Sequence, residues 1–170
     1  MQYFNNPYLR TMSRLLCILI FLFLPLVLFG QETLLVKGYG VDQGLPQSTV
    51  WDILQDDFGF LWVGTADGLC RFDGYSFNTY RNNPKDSLSI GGNSTYQLTL
   101  DSKGDIWFTH DQGFDKYNAS KGSFTSLFRY DALRTSVFNK SLGEDKHGFV
   151  WAWLGGEGLL KFERRTNKRS

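Results

Sequence analysis

One pattern recurs three times along the 170-residue chain and constrains its fold more than any other feature. Each copy begins with Asp-x-x-Gly, continues into a short apolar run that contains a tryptophan, and closes on an aromatic residue. The tryptophans Trp62, Trp107 and Trp151 are 45 and 44 residues apart. A period of about 40–50 residues built from short apolar runs is typical of propeller blades rather than of helical solenoids.

The first copy predicts four antiparallel strands. Asp56–Gly59 has the composition of a tight turn in which the carboxylate accepts a backbone N–H and the glycine adopts a positive φ. The runs on either side are too short for helices and suit strands. We therefore predict an all-β fold, a partial β-propeller of about three four-stranded antiparallel blades in an incomplete ring. The repeat units are roughly 48–80, 94–128 and 137–168.

The first 30 residues predict a signal peptide, which leaves 31–170 for the partial propeller. Arg10 and Arg14 precede the apolar run Leu15–Phe29, which is shorter than the roughly 20 residues of a membrane span. An uncleaved anchor is the alternative, because Leu28 fits poorly where a small residue usually precedes the cleavage site. Either alternative predicts that the rest of the chain is exported.

The segment Leu34–Tyr39 predicts a strand outside the three copies. Val36 and Tyr39 match Phe77 and Tyr80 of the first outer strand. We therefore expect this strand to complete a blade contributed by the C-terminal part of a ring and to cover the exposed edge of that blade. Propellers close with about 4–8 blades. We therefore expect this sequence to be the N-terminal piece of a longer protein or a truncated product, with assembly of several short chains into one ring as the alternative. The isolated 31–170 piece is expected to fold poorly or to self-associate.

Charge and motif content favour neither nucleic-acid binding nor catalysis. Residues 31–170 hold 16 basic and 17 acidic side chains, a balance that gives no reason to propose nucleic acid as a partner. No serine or cysteine triad, phosphate loop or Cys/His metal cluster has a convincing spacing. We predict no catalytic residue, no metal and no cofactor. Cys70 is expected to be a small buried residue, and His110 and His147 are expected to be polar surface residues.

The repeated residues have structural and functional interpretations. The tryptophans are expected to pack between blades, because each occupies a fixed strand position; stacking on sugar rings is the alternative. The Asp-x-x-Gly segments are expected to be turns. Calcium binding is the alternative, but a calcium site needs 6–8 converging oxygens and each turn supplies one or two carboxylates.

The first copy, Asp56–Gly74, resembles the two-component regulator propeller repeat, as does the segment Asp42–Val50. The resemblance covers residues 34–168. The second and third copies depart from the pattern at Thr109–His110, at Phe114 and at Ala152–Leu154, where the third copy also has one extra residue.

The resemblance implies a bacterial sensor. In that family such repeats form paired propellers outside the inner membrane. An immunoglobulin-like domain, a membrane helix, a histidine kinase and often receiver and DNA-binding domains follow them. The implied role is periplasmic ligand sensing, in many members of polysaccharide breakdown products. The implied partners are an oligosaccharide and the remaining blades and signalling domains of a longer chain. The resemblance is also compatible with a homodimer of the full-length form.

The candidate ligand-binding residues lie in loops that join an outer strand to the next inner strand, where propeller loops crowd around the central channel. They are rich in neutral hydrogen-bonding side chains, as a sugar-binding rim would be, with two flanking aromatic residues for stacking. The alternative is that these side chains only satisfy the backbone of tight loops. The candidates are Gln47, Ser48, Thr49, Trp51, Asn93, Ser94, Thr95 and Tyr96, with Thr135 and Ser136 in the third loop.

Two other function classes remain open from the sequence. A propeller lyase or hydrolase would place its site in the channel, but the loops there lack converging acids or histidines. A plain interaction scaffold is the third alternative.

Overall fold

The computed structural model describes residues 8, 11–12, 14–20, 34–129, 140–154, 158–163 and 168–169. The chain divides into two compact units, Met1–Gly38 and Tyr39–Ser170. In the first unit, residues 14–20 are helical. Within the described residues, no helix combines the length and the apolar character needed to cross a membrane. The end of the predicted signal peptide lies outside the described residues, so the leader stays a prediction.

The second unit contains three four-stranded antiparallel sheets, each built from consecutive strands in meander order. We call them sheets 1, 2 and 3. Sheet 1 comprises β1 (Val50–Gln55), β2 (Leu61–Thr65), β3 (Gly68–Phe72) and β4 (Phe77–Tyr80). Sheet 2 comprises β5 (Thr95–Leu100), β6 (Ile106–His110), β7 (Gly113–Asn118) and β8 (Ser123–Arg129). Sheet 3 comprises β9 (Lys140–Glu144), β10 (Phe149–Leu154), β11 (Gly158–Glu163) and β12 (Lys168–Arg169).

These sheets confirm the predicted fold class. Each has four antiparallel strands, and the described residues form no closed ring. The strand order follows the chain because few residues separate consecutive strands within a sheet, and short connections join neighbouring antiparallel strands. A 3₁₀ turn, Val41–Gln43, precedes sheet 1.

The Asp-x-x-Gly turns join the first and second strands of every sheet. The turn glycines Gly59, Gly104 and Gly148 have φ of 88°, 82° and 82°, as predicted for a left-handed position that glycine adopts without steric cost. In the first turn, Asp56 Oδ1 accepts the backbone N–H groups of Phe58 and Phe60 at 3.0 and 2.9 Å. The sequence therefore predicts both the place and the local conformation of these turns.

The aromatic residues pack between adjacent sheets. Trp62 of sheet 1 is fully buried against Tyr117 of sheet 2, with ring centroids 4.7 Å apart. Trp107 of sheet 2 is also fully buried and lies 6.5 Å from the ring of Phe162 in sheet 3. Apolar burial of this kind is the main source of stability in folding. The predicted role of the first two tryptophans in packing is thus confirmed.

A third cluster covers the other face of sheet 1. Leu45 packs with Val63 and Cys70, and Phe77 borders them. Cys70 is fully buried, as predicted, and its Sγ lies 3.6 Å from the Thr79 hydroxyl. Burial raises the pKa of the Cys70 thiol, which keeps the group neutral at physiological pH.

The exposed face of sheet 3 differs from its equivalents in the other sheets. Leu159 is 64% exposed, whereas Leu69 and Phe114, at the same repeat position in sheets 1 and 2, are fully buried. Trp153, the cross-strand partner of Leu159, is also exposed. Sheets 1 and 2 bury these positions against the following sheet, and the corresponding residues of sheet 3 stay in contact with solvent.

One predicted strand is wrong. Residues 34–40 form no strand, although their alternating pattern resembles β4. An alternating pattern shows which side chains would share a face, but a strand also needs a neighbouring backbone to pair with. Tyr39 instead packs its ring on Phe72, with ring centroids 4.8 Å apart. Gly155–Glu157, where the third copy has its extra residue, and the rim candidates Thr135 and Ser136 lie outside the described residues.

Candidate functional site

The candidate site lies where the β2–β3 turn of sheet 1 meets two loops, which we call the first rim loop (residues 46–49) and the second rim loop (residues 91–94). The Ala66 backbone joins both. Its N–H donates to the Thr49 carbonyl at 3.3 Å, and its carbonyl accepts the Ser94 hydroxyl at 3.3 Å. The structure therefore brings the two predicted rim segments to one turn.

The second rim loop makes further hydrogen bonds to its neighbours. Its Asn93 carbonyl accepts the Gly68 N–H at 2.7 Å, and its Ser94 carbonyl accepts the Asp111 N–H at 3.0 Å. The first of these bonds reaches sheet 1 and the second reaches the β6–β7 turn of sheet 2. The loop is thus held between two adjacent sheets.

Two aromatic candidates form a pair beside these loops. The rings of Trp51 on β1 and Tyr96 on β5 are 5.6 Å apart at an interplanar angle of 59°. Trp51 is 48% exposed, and Tyr96 is half-buried. Burial raises the pKa of the Tyr96 phenol, the Asp111 charge raises it further, and a hydrogen bond with the Ser94 side chain opposes the shift. Tyr96 therefore stays protonated and able to donate a hydrogen bond.

The remaining candidates differ in how accessible they are. Ser48 is exposed, and Gln47, Thr49, Asn93 and Ser94 are half-buried. Gln47 Oε1 accepts the Thr49 N–H, and Asn93 Oδ1 accepts the Asn82 N–H at 2.7 Å. These two side chains satisfy loop backbone, as the structural alternative predicts.

Thr95 is fully buried. A Cβ placed at Gly64 would lie 2.8 Å from the Thr95 carbonyl oxygen, so the two strands approach closely here. Thr95 contributes to contact between sheets 1 and 2. The exposed part of the candidate site is therefore formed by Ser48, Trp51 and the edge of Tyr96.

A buried charge cluster at the same end of sheet 2 was not predicted. Asp115 Oδ1 accepts Arg129 Nη1 at 2.5 Å and lies 3.2 Å from His110 Nε2, and Asp115 Oδ2 accepts the Gly91 N–H at 2.7 Å. Asp115 and His110 are fully buried. Burial opposes ionisation of Asp115, but its bonds to His110 and Arg129 prevail and lower its pKa.

The prediction that His110 is a surface residue is wrong. The Gln112 backbone N–H donates to His110 Nδ1 at 3.1 Å, so the ring proton is placed on Nε2, facing Asp115. Burial lowers the pKa of His110, although Asp115 opposes the shift. The ring is therefore neutral at physiological pH, and both of its nitrogens are occupied by protein groups. His147 is exposed, as predicted.

The sequence contained a signal for this cluster. Asp115 lies 45 residues after Cys70, which was predicted to be buried. The repeat therefore placed a carboxylate at a buried position, where it needs a partner. The sequence did not predict which groups would bond to Asp115, because Arg129 comes from a different strand and Gly91 from a loop.

The Asp-x-x-Gly carboxylates are occupied by protein donors. In each sheet the second carboxylate oxygen accepts the indole N–H of the following tryptophan, at 2.8, 2.9 and 2.8 Å for Trp62, Trp107 and Trp151. This bond favours a structural role for these turns over calcium binding. Among the described residues, no group of three or more His, Cys, Asp or Glu side chains is placed to hold a metal ion.

Comparisons with known proteins agree with this architecture. The family described as "Two component regulator propeller" matches residues 44–67. A histidine kinase, P4, of Formosa agariphila is 51% identical over 74 residues, which are 43% of this chain and 5% of that protein. Residues 44–67 therefore match the two-component regulator propeller repeat, and the resemblance stated from the sequence is confirmed.

Solved structures extend the similarity over most of the chain. The extracellular domain of BT3049 from B. thetaiotaomicron, described as a hybrid two component system, superposes with a TM-score of 0.67 at 28% identity. The match covers 79% of this chain and 19% of that one. The extracellular domain of BT4673 from the same organism has a TM-score of 0.59 at 22% identity, over 75% of this chain and 17% of that one. A virginiamycin B lyase from Staphylococcus aureus, at 16% identity and a TM-score of 0.54, covers 72% of this chain and 40% of that chain, and shares the fold alone.

The chain spans less than a fifth of the length of the histidine kinase and of the two extracellular domains that it matches. The relative with the highest TM-score quoted above is the extracellular part of a protein described as a hybrid two component system.

Proposed function

We propose that this chain is part of the extracytoplasmic sensing region of a two-component sensor, and that it binds a glycan-derived ligand without catalysing a reaction. The observation that carries the proposal is the similarity of its three sheets to an extracellular domain of a hybrid two component system, at 28% identity over 79% of the chain. In this proposal, signalling is the task of other domains of the sensor. In this proposal the chain is exported, and its sheets lie in the periplasm.

The rim supports a saccharide as the ligand. Trp51 and Tyr96 offer a partly exposed aromatic pair, and the adjoining rim loops carry the hydroxyl groups of Ser48 and Ser94. Sugar rings have apolar faces that pack on aromatic rings and hydroxyl groups that need hydrogen-bond partners. A surface with both features at one turn suits such a ligand better than it suits a flat protein contact.

The described residues give little support to an enzymatic role. His110 lies near the rim, but its pKa is lowered by burial, and its nitrogens face Gln112 N–H and Asp115. A general base must reach the proton that it removes, and this ring is turned into the protein. The likeness to a lyase extends to the fold alone.

Calorimetry with the purified chain tests this proposal. Neutral and acidic oligosaccharides from bacterial, algal and plant polysaccharides would be screened first, and the strongest binder would then be titrated into Trp51→Ala. We expect Kd to rise about five- to tenfold, because an aromatic contact is worth about 1 kcal/mol. Tyr75→Ala is the matched control, since Tyr75 is an exposed aromatic residue in the β3–β4 turn at the opposite end of β3. Equal affinities for the wild type and Trp51→Ala, or no binder in the screen, would reject the proposal.

A further inference from the structure

Sheet 2 has a buried charge cluster at positions where sheet 1 has small, weakly polar residues. His110 and Asp115 occupy the repeat positions of Thr65 and Cys70, 45 residues earlier. In sheet 1, Thr65 Oγ1 simply donates to the Gly68 carbonyl at 2.8 Å. The cluster is thus a feature of one copy rather than of the repeat, and the fold of a single blade does not require it.

Each of the two sheets has an arginine at the end of its last strand, Arg81 just after β4 and Arg129 as the final residue of β8, and the two side chains are used differently. Arg81 pairs with Asp67 at 3.0 Å, and both side chains are partly exposed to solvent, so the pair contributes little to stability. Arg129 instead bonds to the buried Asp115 at 2.5 Å. Charge-assisted bonds of this kind are stronger than neutral ones, and a fully satisfied buried network is rigid.

The cluster is in direct contact with the second rim loop. Asp115 Oδ2 accepts the Gly91 N–H at 2.7 Å. The loop also packs so closely on the cluster that any Cβ at Gly92 would overlap His110 and Asp111. Only a residue without a side chain fits against the ring here. The candidate ligand residues Ser94 and Tyr96 follow within a few residues.

Among the described residues of sheet 1, no buried charged side chain supports the first rim loop, which bonds to that sheet through the Ala66 N–H and the Thr49 carbonyl. Its Thr49 N–H is taken by Gln47 within the same loop, and Cys70 stands where sheet 2 has Asp115. The two halves of the candidate site are therefore held by different means.

We propose that Asp115 and His110 are positioning residues for the second rim loop. They fix Gly91 and Gly92, and through them set the place of Ser94 and Tyr96 beside Trp51. Sheet 2 thereby holds its half of the site through buried charged groups. The statement about the loop stands on the contacts alone, whereas its consequence for ligand recognition rests on the proposed function.

Amide hydrogen exchange of the 170-residue chain tests the statement about the loop. Asp115→Asn removes the charge that holds Arg129 and leaves one oxygen acceptor in place of the two that bond Arg129 and the Gly91 N–H. We therefore expect exchange of the Gly91 and Tyr96 amides to rise at least tenfold. Exchange at Thr49, in the first rim loop, should not change. Arg129→Gln, at a partly exposed position, gives a milder variant if Asp115→Asn folds poorly. Cys70→Ala, at the equivalent position of sheet 1, is the matched control and should leave the second rim loop as protected as in the wild type.

Two exchange results would overturn the positioning role. One is unchanged protection at Gly91 and Tyr96 in both variants. The other is an equal rise of exchange in all three sheets, which would show a loss of global stability only. A second measurement separates this inference from the proposed function. If Arg129→Gln loosens the loop and an oligosaccharide found in the screen still binds with unchanged Kd, the positioning role holds and its link to ligand recognition fails.

Discussion

The indole N–H of Trp107 donates to Oδ2 of Asp101, six residues earlier, at 2.9 Å. Both residues are buried. The other carboxylate oxygen of Asp101 accepts the backbone N–H groups of Lys103 and Asp105 at 2.8 and 3.0 Å. One side chain therefore closes the turn and orients the tryptophan that packs against sheet 3. The same bond occurs in sheets 1 and 3, so the repeat couples its turn to its core residue.

Replacing this carboxylate should strongly destabilise the second unit. Asp101→Ala leaves the buried indole N–H and two backbone donors without their acceptor, and we expect the free energy of unfolding to fall by about 3 kcal/mol. Urea denaturation followed by tryptophan fluorescence measures the change. Asp57→Ala, at an exposed position of the first turn, is the control and should cost less than about 0.5 kcal/mol. A loss of under 1 kcal/mol for Asp101→Ala would contradict the structural role.

The stability of the fold should decrease as pH falls from 7 to 5. Burial lowers the pKa of His110 in the folded state, so the unfolded chain takes up the proton first, near its ordinary pKa of about 6.5. Stability from the neutral ring is complete above that pH and is lost as pH falls towards the folded-state pKa. Asp115, whose pKa is also lowered, adds a loss only at lower pH, below about 3.8.

Denaturation midpoints at pH 7 and pH 5 test this dependence. His110→Gln keeps a side-chain donor for Asp115 but cannot be protonated, so its midpoint should change less between the two pH values than that of the wild type. His147→Gln, at an exposed position, is the control and should follow the wild type. Parallel pH profiles for the wild type and His110→Gln would show that His110 does not titrate on unfolding.

The exposed face of sheet 3 predicts self-association of the purified chain. Leu159 and Trp153 present apolar surface whose equivalents in sheets 1 and 2 are covered, and contiguous apolar patches favour association. Leu159→Lys should shift the population toward monomer with little loss of stability. Leu69→Lys, which introduces a charge at the fully buried equivalent, should unfold the protein. Sedimentation velocity measures the first effect. A wild-type chain that stays monomeric at high concentration would contradict this prediction.

The sequence predicts most of the fold because each repeat carries its own local signals. The Asp56–Gly59 turn and the apolar run before Thr65 indicate where β1 ends and where β2 begins, since turn composition and strand pattern agree. The prediction of a strand over Leu34–Tyr39 was wrong because no neighbouring strand accompanies its pattern in the sequence. Its pattern is local, whereas pairing depends on which backbone lies beside it in space.

The candidate site was predicted only in part. The repeat register places Trp51 and Tyr96 at equivalent positions of adjacent units, and the structure shows that their rings are in contact. The contacts of Asp115 with Gly91 and Arg129 join a strand to a loop 24 residues before it and to a strand end 14 residues after it. No sequence period specifies such contacts, so the cluster that supports the loop was found only in the structure.

A titration followed by backbone and indole NMR tests the central claim most directly. The claim is that the rim formed by sheets 1 and 2 binds a saccharide. On addition of an oligosaccharide that binds in the screen, we predict chemical-shift changes at the Trp51 indole and at the amides of Ser48, Ser94 and Tyr96. The Asp-x-x-Gly turns at the opposite end of the sheets should be unaffected. Shift changes confined to those turns or to sheet 3, with an unperturbed Trp51, would contradict the account.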